Sequence, residues 1–163
     1  MANLLNREGA AAMICDCLRA DTTILYGTNR LVQTITSDPT LFLNAKTDIR
    51  APYKMYVYAA DNTAVSVRAQ NADELFVVNF RIEGLAVNMT NVFNTLDKID
   101  QQVTVLVNSQ MYTGAYFRSY YTDSKARLID AERSDAGIEV AQENGTIHAE
   151  CRGAINILVN RLV

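Results

Sequence analysis

The chain has 163 residues, of which 49% are hydrophobic and 20% are charged, and its formal net charge at pH 7 is −3. This composition is typical of a globular protein, and we expect residues 1–163 to form a single domain; it argues against a disordered tail and against a DNA-coating protein with a basic face. The longest apolar runs, such as Ala10 to Cys15, are far shorter than the roughly 20 residues that a membrane-spanning helix needs.

The first residues, Met1 to Glu8, lack the basic leader and long apolar stretch of a secretory signal, so we expect a protein of the cytoplasm. Three cysteines are an odd number and cannot form a closed disulfide framework. Cys15 and Cys17 lie in a helical pattern, where buried thiols are common. We therefore expect reduced cysteines.

The predicted elements begin with an amphipathic helix over residues 2–20, in which Leu4, Ala11 and Leu18 recur at helical spacing. Residues 24–50 mix short apolar clusters with polar residues and a Ser37–Asp38–Pro39 turn. We interpret this stretch as a long loop that contains short strands or a helical turn, and long loops are either mobile or functional.

From residue 53 the apolar period changes to two, which predicts strands. A strand over Tyr53–Tyr58 is expected to form a hairpin with Ala64–Val67 through a turn at Asp61–Asn62. The clearest strand runs from Phe76 to Gly84, where apolar and polar residues alternate. One face of this strand is therefore predicted to be buried and the other to face water.

A second helix is predicted next, with a cap at Asn88 or Thr90 and a regular three-four apolar spacing. Its expected buried side consists of Met89, Val92, Phe93, Leu96, Ile99, Val103, Leu106 and Val107. A strand over Tyr116–Tyr121 follows, and the polar residues from Thr122 to Asp135 are interpreted as a connection.

The end of the chain predicts a hairpin, because Asn144–Gly145 is the preferred two-residue turn and joins Gly137–Glu143 to Thr146–Val159. The pairing across this turn places Ile138 and Val140 opposite Cys151 and Ala149 on the core side, and Glu139 opposite Glu150 on the outer side. The order of helix, strands, helix, strands predicts an α+β fold in which two amphipathic helices pack on one face of a mainly antiparallel sheet.

A zinc site is one chemical alternative, because Cys15, Cys17, His148 and Cys151 are residue types that bind zinc. Residues 15 and 17 of a helix point to different sides, and residues 148 and 151 of a strand lie on opposite faces. We therefore expect buried thiols, with no metal ion and no cofactor.

Catalysis would have to use His148, the only histidine, which the hairpin register places on the outer face beside Glu139 and Glu150 rather than in a cleft. The sequence has no nucleophile elbow, dinucleotide-binding or phosphate-binding loop motif. We expect no enzymatic activity and no catalytic residues. An unrecognised small enzyme is an alternative, and it would need a deep pocket with His148 or paired carboxylates.

Two surface patterns have both a functional and an ordinary explanation. The aromatic run Tyr112–Tyr121, with Arg118, Lys125 and Arg127, could stack on bases, although tyrosines are also common in half-buried strands and at protein interfaces. The glutamates of the closing hairpin are either a solvated strand face or an acidic stripe that repels DNA. That candidate stripe consists of Glu139, Glu143 and Glu150.

The strand over Phe76–Leu85, the long helix to Asn108 and the hairpin over Gly137–Val159 together resemble the tail terminator proteins of long-tailed bacteriophages. In that family a first helix precedes a strand pair, a second helix crosses the sheet, and a late hairpin ends the domain. The likeness lies in the order of elements along nearly the whole chain.

The resemblance implies a virion protein of the tail or neck, assembled in the cytoplasm of a bacterial host. It would form a homo-oligomeric ring, typically hexameric, that stops polymerisation of the tail tube and joins the tail to the head. Its implied partners are the tail tube protein and a head-completion or connector protein, with DNA only as passing cargo. The alternatives are another neck or tube component of the same particle, and an unrelated binding module or small enzyme.

Overall fold

The computed structural model describes residues 6–22, 26–27, 30–45, 53–59, 64–67, 71–86, 89–113 and 126–162. These residues form three helices and six strands. In chain order they are α1 (Arg7–Arg19), β1 (Val32–Thr36), α2 (Pro39–Asn44), β2 (Tyr53–Ala59), β3 (Ala64–Val67), β4 (Asn71–Ala86), α3 (Met89–Thr113), β5 (Ala126–Glu143) and β6 (Thr146–Leu162). None of these helices has the length and apolar character that crossing a bilayer requires.

The six strands form one sheet in the order β1–β2–β4–β6–β5, with β3 pairing to β4. Among the strand pairs that the structure describes, only β1–β2 is parallel, and the others are antiparallel. The mainly antiparallel α+β fold predicted from the sequence is confirmed.

The predicted hairpin between the strands now named β2 and β3 is wrong. Both strands pair with β4 and follow one another along the same edge of it, with Ala59 opposite Val78 and Ala64 opposite Leu75. The 16 residues of β4 are long enough to pair with both strands in succession. Two strands that are both antiparallel to a third run in the same direction, so a tight turn cannot pair them. The predicted turn at residues 61–62 lies outside the described residues.

The core lies between α1, α3 and one face of the sheet, and it contains alternate residues of β2, β4 and β6. Asn6 caps the start of helix α1, because its side chain accepts a hydrogen bond from the Gly9 amide at 2.7 Å. Its apolar side packs against β2 and β4, whereas α3 packs against β4, β5 and β6. The prediction that two amphipathic helices pack on one face is therefore confirmed.

Helix α3 buries a narrow stripe consisting of Val92, Leu96, Ile99, Val103 and Val107. Phe93, predicted to be buried, is 42% exposed, and Leu106 is only partly buried. A helix lying on a sheet contacts it along one stripe, and Phe93 is one residue, or about 100°, away from that stripe.

The stretch over residues 24–50 contains the strand β1 and the one-and-a-half turns of α2, so a short strand and a helical turn both occur there, as predicted. The predicted turn at residues 37–39 is the start of α2. Asp38 caps this helix by accepting hydrogen bonds from the amides of Thr40 and Leu41, and Pro39 occupies its first turn.

The closing hairpin has the predicted turn and register. Asn144 and Gly145 both have positive φ, 49° and 76°, which is the geometry of the tight hairpin turn that Asn–Gly favours. Ala149 and Cys151 are 3% and 1% exposed, and Ile138 and Val140 are partly buried against the same core. Glu139 lies opposite Glu150, as predicted.

The predicted polar connection before this hairpin is wrong from residue 126 onward. Strand β5 begins at Ala126, which pairs with Arg161, and it runs for 18 residues. The register shifts between Leu128 and Asp130 and again between Ser134 and Gly137, and such irregularities break the period of two by which a strand is recognised. The predicted strand at residues 116–121 lies outside the described residues.

In the middle of the sheet, the Phe80 ring packs closely against a residue that has no side chain, Gly153. Gly153 lies opposite Phe80, and a Cβ atom at this position would be 2.5 Å from Phe80 Cζ. We expect Gly153→Ala to lower the free energy of unfolding by about 1–3 kcal/mol, because the phenyl ring must move within a packed core. Chemical denaturation measures this change.

Gly137→Ala is the matched control, since nothing lies within 4 Å of a Cβ atom added there. A Phe80→Leu background should reduce the cost of Gly153→Ala, because the shorter side chain leaves the space that the methyl group needs. Equal costs at positions 137 and 153 would contradict the close contact.

Candidate functional site

The face of the sheet turned away from α1 and α3 carries most of the charged side chains that the structure brings together. We call it the polar face. Alternation along each strand places there Lys54 from β2, Arg81 and Glu83 from β4, His148, Glu150 and Arg152 from β6, and Glu139 and Glu143 from β5.

The strand register aligns these charges in rows across the sheet. One row runs from Lys54 through Glu83 and Glu150 to Glu139, so three glutamates lie side by side. In the next row Arg81 lies opposite Arg152. Like charges directly opposite one another destabilise a sheet, so each row needs compensation from the other.

Ion pairs between the two rows, one diagonal across the strands and two along single strands, supply that compensation. Arg81 Nε lies 3.1 Å from Glu150 Oε1, and Arg81 also pairs with Glu83. Arg152 pairs with the same Glu150 oxygen, and Lys54 Nζ lies 4.0 Å from Glu83 Oε2. Glu150 therefore connects two arginines that would otherwise face each other.

The three glutamates of the candidate acidic stripe lie on the polar face, but their surroundings differ. Glu150 has a side chain only 20% exposed and pairs with two arginines, whereas Glu139 and Glu143 are exposed. The charge of Glu150 is thus largely compensated. The sequence alone does not identify Arg81 and Arg152 as partners of Glu150. Their position beside Glu150 follows only from the pairing of β4 with β6.

Helix α2 is attached to one side of the polar face. Lys54 Nζ donates hydrogen bonds to the carbonyl oxygens of Phe42 at 2.8 Å and Ala45 at 3.3 Å, near the C-terminal end of α2 where a positive charge is favourable. The Phe42 ring stacks on Tyr56, which stacks on Tyr58, with centroid distances of 5.4 and 4.9 Å. These contacts hold the short helix in place.

An open groove of about 510 Å³ lies at the end of the polar face near the closing turn, and its walls include Lys54, Glu83, Glu139, His148 and Glu150. His148 is exposed on the outer face, as predicted, but it lines this groove, so the expectation that it lies away from any cleft is wrong. Among the described residues that line the groove, none is a serine, threonine or cysteine that could act as a nucleophile.

The four residues considered as zinc ligands, Cys15, Cys17, His148 and Cys151, do not lie together in the structure. Cys15, Cys17 and Cys151 are buried and are not joined in disulfides, and Cys151 lies on the core face while His148 lies on the polar face. Within the described part of the chain, no three His, Cys, Asp or Glu side chains are placed to hold a metal ion. Tyr116, Phe117, Tyr120 and Tyr121 of the aromatic run lie outside the described residues.

Comparison with known proteins finds likenesses among solved structures. No family model matches the sequence, and no curated protein matches it. The chain is similar to a chain of a solved structure titled "Virion of native gene transfer agent (GTA) particle", with a TM-score of 0.47 and 15% sequence identity over 93% of this chain and 94% of that chain.

We expect Glu150→Gln to lower the free energy of unfolding by about 1–2 kcal/mol, because the amide leaves Arg81 and Arg152 opposite each other without the charge between them. Glu143→Gln is the matched control at an exposed position of the same face, with an expected change within about 0.5 kcal/mol. Urea denaturation at low and high salt measures both. Equal effects would show that Glu150 does not bridge the arginines.

Burial raises the pKa of Cys15 and of Cys17 from the ordinary value of 9.0 to about 11. Between these values the unfolded chain loses thiol protons that the folded chain keeps, so stability is fully present below pH 9 and falls as the pH rises toward 11. We expect a loss of about 1–2 kcal/mol per thiol by pH 10.5. A Cys15→Ala, Cys17→Ala variant, compared over the same pH range, should show a smaller fall; an equal fall would contradict the burial of these thiols.

Proposed function

We propose that this protein is a structural component of a phage-type virion, a ring at the head-proximal end of the tail tube that stops tube polymerisation and joins the tail to the head connector. The observation that carries the proposal is a sheet covered by α1 and α3 on one face, charged on the other, and ending in two different outer strands, β1 and β5. The element order that resembles tail terminators supports the same conclusion.

The difference between the two outer strands suits a closed ring. Identical subunits that meet head to tail around a ring use two different surfaces of each chain. With β1 at one end of the sheet and β5 at the other, the sheet supplies two such surfaces about 20 Å apart, given four interstrand spacings.

The dimensions also suit a channel. Five strands at about 4.8 Å spacing span about 24 Å, so six copies placed edge to edge would enclose a circle of about 145 Å circumference and about 45 Å diameter. Strand tilt widens such a circle further. A DNA duplex passes through an opening of this size.

The polar face is the face that would line the channel. Its exposed carboxylates, Glu139 and Glu143, repel the phosphate backbone and keep passing DNA from adhering. Glu150 contributes less, since Arg81 and Arg152 compensate its charge. DNA is cargo on this account, and the binding partners are the tube protein and the head connector.

No chemistry is assigned to the groove at His148. Its glutamates Glu83 and Glu150 are engaged in ion pairs, and an open groove does not exclude water from a reaction. We therefore propose a non-enzymatic role without cofactor. A tube component would use the same sheet geometry, but its loss would leave no tube, whereas loss of a terminator leaves tubes of uncontrolled length.

A bulky label tests which face lines the channel. Ala141 lies between Glu139 and Glu143 on the polar face and is exposed, so Ala141→Cys should react with a large maleimide while the three native, buried cysteines do not. Particles assembled with the labelled variant should release DNA slowly or not at all, because the label narrows the channel.

Val105→Cys, labelled in the same way, is the matched control, since Val105 is 57% exposed on α3. Particles with this label should release DNA normally. Normal release from the Ala141-labelled particles, or blockage by the label at residue 105, would place the polar face away from the channel.

A further inference from the structure

The outer edge of strand β5 forms one end of the sheet. This strand has 18 residues and, within the described part of the chain, pairs only with β6. The outer edge of such a strand carries backbone donors and acceptors that a strand of another chain can use, and natural proteins usually protect long edges for this reason. The edge of β5 is therefore a candidate binding surface.

The closing turn determines which backbone groups of β5 point outward. In a two-residue hairpin the residues flanking the turn, Glu143 and Thr146, exchange both of their backbone hydrogen bonds. Hydrogen-bonded and non-hydrogen-bonded pairs then alternate along the strands. The N–H and C=O groups of Ile138, Val140 and Gln142 therefore point away from β6, toward the outer edge.

Side-chain burial indicates that the core side of this edge is incomplete. Ile138 and Val140 point to the core side but are only partly buried, whereas their partners on β6, Cys151 and Ala149, are 1% and 3% exposed. Apolar side chains of one more strand beside β5 would cover Ile138 and Val140.

The two end strands of a second copy of this chain are poor partners for the edge. Strand β1 is already bridged by its own chain, because Tyr26 pairs with Val32 and the Gly27 amide donates to the Val32 carbonyl at 3.1 Å. Pairing β5 with another β5 would bring the exposed Glu139 and Glu143 of both copies to one seam, where like charges repel. The edge therefore favours a strand from a different protein.

The polar side of the edge indicates the chemistry of that strand. Glu139 and Glu143 are exposed, and Ala141, which has only a methyl group, lies between them on the same side. A residue opposite Ala141 on an added strand has the two glutamates as diagonal neighbours at about 7–8 Å, within reach of a long side chain. A lysine or arginine at this position lies over the methyl group and pairs with both carboxylates.

We propose that the outer edge of β5, over residues 138–143, binds an extended segment of another protein as an added strand. The segment has a lysine or arginine opposite Ala141 and apolar residues on both sides of it. Backbone hydrogen bonds supply affinity, and the alternation of apolar and basic side chains supplies specificity. The inference goes beyond the proposed ring and does not depend on it. One cation between two carboxylates leaves an excess of negative charge, so this side of the polar face stays acidic.

A synthetic peptide tests the binding of such a segment. The probe is a short fluorescent peptide in which valine and lysine alternate, and its control has glutamate in place of every lysine. Fluorescence anisotropy should show saturable binding of the lysine peptide to the natural chain. The glutamate peptide should bind at least about tenfold more weakly, because its carboxylates meet Glu139 and Glu143.

Proline at an outward position tests the backbone contact. Gln142 is exposed and its N–H points away from β6, so Gln142→Pro removes a donor from the outer edge and leaves the β5–β6 pairing intact. We expect the dissociation constant of the lysine peptide to rise by about tenfold. Gln142→Ala is the matched control and should bind the peptide like the natural chain.

Removing the two exposed carboxylates tests the charge contact without a change in the backbone. The double variant Glu139→Gln, Glu143→Gln should bind the lysine peptide about fivefold more weakly at low salt, and the difference should shrink at high salt. Thermal unfolding of each variant checks that the fold is retained.

Hydrogen exchange locates the bound peptide. In the natural chain, the amides of residues 138, 140 and 142 should exchange fast without peptide and slowly when the lysine peptide is saturating. Equal binding of the two peptides, or unchanged binding by folded Gln142→Pro, would overturn the proposal. Slow exchange of these amides without peptide would also overturn it. If that slow exchange holds at every protein concentration, the chain covers its own edge, and if it appears only as the concentration rises, a second copy does.

Discussion

The antiparallel pairing of β4 with β6 determines most of the rest of the structure. It runs without a register shift from Asn71 opposite Leu162 to Ala86 opposite Ile147. Because alternate side chains point to opposite faces, this one register sends Phe80, Ile82 and Cys151 to the core and the charged residues to the other face. A slip of one residue would reverse both faces at once.

The same register also places like charges opposite one another on the polar face. It places Glu83 opposite Glu150 and Arg81 opposite Arg152, two unfavourable pairs of like charges that the ion pairs between arginine and glutamate compensate. Glu150 is central because it contacts both arginines. Glu139 and Glu143, farther toward the edge, are left as the exposed negative charges. The middle of the polar face therefore carries paired charges, whereas its β5 side carries exposed negative charges, which would face the DNA in the proposed channel.

The sequence predicts well what depends on neighbouring residues. The Asn144–Gly145 turn sets its own register, and spacing identifies the buried stripe of α3, although it also includes Phe93, which is exposed. The sequence predicts the wrong partner for β3, which pairs with β4 rather than with β2, because β4 is long enough to pair with both strands in succession. The first half of β5 was missed because its register shifts disrupt alternation. In the same way, the glutamates of the hairpin were found from the turn, whereas the arginines that compensate Glu150 required the β4–β6 pairing.

An image of the assembled protein at a resolution that separates helices from strands tests the central claim most directly. The account predicts a closed ring in which the sheets line the opening, with Glu139 and Glu143 toward the channel and α1 and α3 on the outer wall. A ring with α3 at the opening, or an assembly that does not close, would contradict it.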